Sequence, residues 1–240
     1  MKIPFFALLK RNLEIKASTR SSAVLRIGLV FLAWSCFSNY LIIYRTFQSP
    51  DRLLIGILFF IFSGMLFLGW KTKFANIGLA LILNILILYF GVKDNFVQLR
   101  AHHANLIAMS ITWLCFLPSG KSFSLDRYLA ISKIKDQKHN FPNEIGEVWA
   151  LNLIRLQVSV VYFFAAIDKS YLDFNERLEQ ILQSAYFGSY FPWESFRIVI
   201  LIISVFTVLI LYLLSFGLFI KSWHRWLMPM GIIFHIFIYL

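Results

Sequence analysis

The chain has 240 residues, 59% of them hydrophobic and 18% aromatic, with 26 Phe, which is far outside the composition of soluble domains and marks a membrane protein. Its net charge is +11, but the basic residues fall in short clusters between apolar runs, a pattern of membrane topology that argues against a nucleic-acid partner. Cys36 and Cys115 sit inside apolar segments with no CxxC spacing and no nearby His ligand, so they read as buried thiols, with neither a disulfide framework nor a metal site predicted.

The chain opens with MKIPFFALLKRNLEIK, and residues 1–22 carry Lys2, Lys10, Arg11, Lys16 and Arg20. The following apolar run is long enough to span and lacks a small-residue cleavage site, so no cleaved signal peptide is expected. This arm is predicted to be a basic amphipathic helix on the membrane surface.

A spanning helix needs about 20 mostly apolar residues. Seven segments approach that length: 23–44, 53–70, 74–92, 103–118, 148–168, 196–220 and 226–240. Residues 23–240 therefore predict one all-α polytopic transmembrane bundle of about seven spans in a lipid bilayer. The fourth segment contains Ser110, Thr112 and Cys115, which predicts a tilted or partly buried helix. The polar connectors 119–147 and 169–195 are too short for a further domain. The chain stops inside the seventh segment, at FHIFIYL, which predicts truncation at the carboxyl end.

Counting Lys and Arg on alternate sides gives 14 on the side of the amino-terminal arm and 7 on the other. That bias predicts a cell-membrane protein with a cytoplasmic amino terminus. Gly-rich phosphate loops and internal repeats are absent from the sequence, so nothing points to a nucleotide-driven transporter.

An ionisable side chain inside a bilayer costs at least about 2.5 kcal/mol, so such residues mark function by default. Arg26 and Arg155 qualify. On the fifth segment Arg155, Tyr162 and Lys169 recur every seventh residue, which returns to nearly the same helix face, with Ser159 and Ala166 between them. The resulting polar and small stripe runs about 21 Å. Lys169 at the end of that stripe reads either as a buried base or as an interfacial anchor. A lysine takes a proton only as the neutral amine, a state that desolvation and nearby cations favour, whereas an Asp168 carboxylate turned toward it would oppose that state. His102 and His103 open the fourth segment on the side predicted to be outside. Neighbouring histidines diverge on a helix and make a poor chelating pair. His235 alone in the last segment reads as a packed, hydrogen-bonded residue.

Four stretches resemble the membrane domain shared by vitamin K-dependent γ-carboxylase and its bacterial relatives, the horizontally transferred transmembrane (HTTM) domain. In VWALNLIRLQVSVVYFFAAIDKSYLDF, the residues Trp149, Arg155, Gln157, Tyr162, Phe163, Ala165 and Lys169 follow the family's central helix in order. HHANLIAMSITWLCFLPSGKSFSLD is similar to its histidine-to-aspartate segment, at His103 and Asp126. IIFHIF places His235 on a late-helix histidine, and LRIGLV resembles the family's early Arg at Arg26. The resemblance implies Lys169 as the base that deprotonates a reduced quinone of vitamin K type, and His103 as a group that assists the carbanion stage. It also implies that Arg155, Gln157 and Tyr162 position the reactants, on the outer side. The family's paired lysine is here Asp168-Lys169, its following Leu is Ser170, and the large extramembrane domain that captures the carboxylase's peptide substrate is absent from this sequence.

Three functions stay open at this level. One is a quinol- and oxygen-dependent γ-carboxylase-like enzyme using Lys169 and His103. Another is a non-catalytic maturation or export factor for a small secreted or membrane peptide or toxin. The third is a transporter, which the absence of paired broken helices disfavours.

Overall fold

A computed structural model describes residues 16–42, 50–93, 102–134, 143–171, 173–184 and 197–239. Among these, nine helices carry the chain. They are α1 (Arg20–Ile42), α2 (Pro50–Leu68), α3 (Thr72–Ile85), α4 (His102–Leu114), α5 (Leu125–Ile134), α6 (Trp149–Lys169), α7 (Phe174–Ser184), α8 (Arg197–Gly217) and α9 (His224–Tyr239). Within the described residues each of the seven predicted apolar segments contains a helix, because in lipid a helix satisfies its own backbone groups. Helix α3 continues into a wider π-helical stretch over Leu86–Lys93.

Among the described residues, four helical stretches are long and apolar enough to cross a membrane: Arg20–Ser38, Thr72–Tyr89, Trp149–Lys169 and Arg197–Gly217. The apolar part of α2, Leu53–Leu68, is shorter. At 13 residues α4 extends only about 20 Å.

Of the surface helix predicted over residues 1–22, residues 1–15 lie outside the described residues, and the rest differs from the prediction. Lys16–Ser18 form a strand, β1, antiparallel to β2 (Ile145–Glu147), with Lys16 opposite Glu147. Residues 20–22 already belong to α1. A tertiary partner about 130 residues away supplies the hydrogen bonds here, and it outweighs the amphipathic pattern.

The chain divides into two compact units, Met1–Ile154 and Arg155–Leu240. In the first, α2 packs on α1 and α3, and α4 lies against α1 and α3. The buried face of α3 carries Ala75, Leu79, Ile82 and Leu83, while Phe74, Ile77 and Leu81 face outward. An apolar outer face of this kind suits lipid rather than water. Trp34 Nε1 donates to Ser63 Oγ at 2.8 Å and ties α1 to α2. Ala104, Ile107, Ala108, Ile111 and Leu114 of α4 are buried in this core, which accounts for a segment too short to span unaided.

One end of the first unit is a polar knot. Arg26, fully buried, donates from its two terminal nitrogens to the carbonyls of Ser119 and Phe123, each at 2.5 Å. Asp126 accepts from the backbone N–H groups of Lys71 (2.7 Å) and Thr72 (2.8 Å) and from the Thr72 hydroxyl (2.7 Å). It thereby satisfies donors at the start of α3 that the helix itself leaves open. Thr19 and Ser122 share a hydrogen bond of 2.7 Å, and Glu144 pairs with Arg20 and Arg127. Gly69 sits at φ 69°, and a Cβ there would lie 2.5 Å from Ser124 Cβ. Gly69→Ala combines left-handed strain with that clash. It is expected to lower stability by about 2–3 kcal/mol, read as a lower unfolding midpoint in detergent.

In the second unit α8 packs on α7 and α9. Its core gathers Ala166 with Ile210, Leu211, Leu214, Leu227 and Phe234.

Candidate functional site

The polar stripe of α6 faces α8 and α9 along part of its length. Ser159 and Ala166 are buried, and the Ser159 hydroxyl donates to the Ser215 carbonyl at 2.6 Å while the Ser215 hydroxyl donates back to the Ser159 carbonyl at 3.1 Å. This reciprocal pair needs small residues at the α6–α8 contact, as is usual where helices approach closely in membranes.

One turn further along, Tyr162 Oη and His235 Nε2 share a hydrogen bond of 2.8 Å, with the rings 5.9 Å apart. This joins α6 to α9 and makes a phenol–imidazole pair able to pass or hold a proton. Sequence reading singled out both residues, but placed Tyr162 on the stripe and left His235 as an isolated packed histidine. Helical periodicity reports which face a residue occupies, never its partner on another helix. Removing the phenol with Tyr162→Phe is expected to lower stability by about 1 kcal/mol without disturbing the α6–α8 serine pair, as checked by unfolding midpoint.

Lys169 closes α6, two helical turns beyond Tyr162, and its ammonium lies over the Phe174 ring at 5.8 Å. The Asp168 carboxylate turns to Arg177 instead, at 3.6 Å, and Arg177 also pairs with Asp173 at 3.3 Å. The helix α7 that supplies Phe174 and Arg177 lies in the polar connector 169–195. Its signal was Phe174, Leu178 and Ile181 at helical spacing behind Asp173.

Arg155 is exposed and Gln157 half-buried, both in the first turns of α6. His103 lies in the first turn of α4, exposed, and belongs to the first unit. Thus the second unit holds Arg155, Gln157, Tyr162 and Lys169 on one helix and adds His235, while His103 is carried by the first unit. Among the described residues no three His, Cys, Asp or Glu side chains are grouped to hold a metal ion.

The family model of the HTTM domain matches residues 27–239. No curated protein and no solved structure matches the chain significantly.

Proposed function

Since the chain belongs to the HTTM-domain family, we propose that this integral membrane protein is a γ-carboxylase-like enzyme that uses a reduced quinone and oxygen, with Lys169 as its base. The observation that carries this reading is the placement of Lys169 at the end of a stripe that also presents the Tyr162–His235 pair.

The side chains present suit a quinol: an amine able to accept a phenolic proton, a phenol–imidazole pair, and the rings of Phe163 and Phe174 nearby in sequence. A bound quinol would supply the electrons for oxygen reduction. Lys169 accepts a proton at Nζ, which lies beside the Phe174 ring. Tyr162, held by His235, orients the reactant with Arg155 and Gln157, and His103 handles a proton at its imidazole.

We place the amino terminus in the cytoplasm and Lys169 and His103 outside. In support, Lys16, Lys71, Lys73, Lys121 and Arg127, all assigned by the charge count to one side, meet at one end of the first unit. His103 lies at the end of α4 away from that knot, about 16 Å from Leu114 along the helix.

The test is oxygen uptake by the purified chain in nanodiscs supplied with a reduced naphthoquinone. Uptake above that of empty nanodiscs supports the reading, and equality with them overturns it. A second reading, a maturation or export factor for a small secreted peptide, is favoured by the Ser159–Ser215 and Tyr162–His235 bonds, which already engage the stripe in holding helices together. Capture of such a peptide that survives Lys169→Ala would favour it.

A further inference from the structure

Beside the polar knot the first unit contains a cleft of about 670 Å³, within the roughly 300–1,000 Å³ span of small-molecule sites. Three lysines reach it from three separate segments: Lys16 of β1, Lys73 of α3 and Lys121 of the turn before α5. Lys121 Nζ donates one hydrogen bond to the Ile145 carbonyl at 3.2 Å, leaving two further protons for a ligand.

Two acids also line the cleft. Asp126 is engaged by its three donors at the start of α3, so its lone pairs are largely satisfied from within the protein. Glu147 stands opposite Lys16 in the β-ribbon register. Three lysines therefore stand against two carboxylates, and the charged lining keeps one positive charge in excess.

The second observation is Asn76. This residue is only 2% exposed and lines the same cleft, yet its amide oxygen has no hydrogen-bond partner among the described residues. A buried acceptor left open costs about 1–3 kcal/mol, so a ligand that brings a proton donor to it gains accordingly. Three ammonium groups call for an acceptor-rich anion, and Asn76 calls for a donor on the same molecule. A phosphate ester that also carries a hydroxyl meets both demands.

We propose that this cleft binds the phosphate ester of a hydroxyl-bearing group, with Lys16, Lys73 and Lys121 on the phosphate and Asn76 on the hydroxyl. Such chemistry is offered both by a membrane phospholipid headgroup with a free glycerol and by a soluble glycerol phosphate. Phe116, 53% exposed on the cleft wall, gives the site an apolar flank along which acyl chains could run. The site is lined wholly by residues of the first unit and stands independently of the enzyme reading.

The experiment is native mass spectrometry of the full chain released from detergent, titrated in turn with phosphatidylglycerol, phosphatidylcholine and glycerol 3-phosphate. Wild type is expected to hold phosphatidylglycerol about tenfold more tightly than Lys73→Gln/Lys121→Gln. Phosphatidylcholine, which has the phosphate but no hydroxyl donor in its headgroup, is expected to bind more weakly than phosphatidylglycerol. If glycerol 3-phosphate binds and is lost in the same double variant, the ligand is a free phosphate ester; if only the lipid binds, the source is the membrane. Both lysines are exposed, so the double variant keeps the fold, and its unfolding midpoint verifies this. Asn76→Asp, of the same size, adds a charge that repels phosphate and should weaken either ligand. Binding of both probes that changes less than about twofold in the lysine variant overturns the proposal.

Discussion

Arg26→Ala is expected to destabilise the first unit by about 3–5 kcal/mol, enough to remove most folded protein from a detergent extract. The guanidinium is fully buried and donates to the Ser119 and Phe123 carbonyls. Truncation leaves two buried acceptors without a donor and a void where the longest side chain of the core had been. The knot loses the strut that fixes the turn leading to Asp126, so the cap on α3 loosens with it. Arg26→Lys should recover less than half of the loss, because one ammonium cannot reproduce a planar fork that reaches two carbonyls four residues apart. Chemical unfolding in mild detergent reads both variants. A midpoint for Arg26→Ala equal to wild type would remove the knot from any structural role.

Lys169→Ala is expected to lower quinol-dependent oxygen uptake by about 10²–10⁴-fold, the usual contribution of a positioned general base. Lys169→Arg should fall equally far, since a guanidinium does not give up its proton and cannot act as base. Stability should change little, because Lys169 is only half-buried and its contact with Phe174 is a single cation–π pair. Rate and unfolding midpoint measured on the same preparation therefore separate a base from an anchor. Retention of the full rate by Lys169→Ala would sink the assignment.

The helices were legible because each apolar run is long and its backbone has no alternative to internal hydrogen bonding in lipid. The small residues of the α6 stripe were legible for a related reason: Ser159 and Ala166 share the register of Arg155, Tyr162 and Lys169. What the sequence withheld was every link between distant segments. The β-ribbon uses only three residues per strand, too few for alternation to register. Arg26 was recognised as an expensive intramembrane charge, yet its acceptors are backbone carbonyls, which no residue type announces. Helices α5 and α7 were hidden in connectors judged by their polarity rather than by their spacing. Arg155 illustrates the opposite limit: it shares a face with Tyr162 by periodicity, but its side chain is exposed.

The span between Arg26 and its acceptors also sets a clock. Phe123 follows Arg26 by 97 positions, and a ribosome adding about 5–20 residues per second needs roughly 5–20 s to deliver it. For nearly all of that interval the guanidinium has been made while neither of its carbonyls has, since Ser119 follows Arg26 by 93 positions. The first helix must wait with its charge turned toward headgroups or water, or in the keeping of the insertion machinery, and can settle to its final depth only after the Ser119–Phe123 turn emerges. Slowing translation between these positions would prolong the vulnerable state and raise the share of chains degraded before the knot closes.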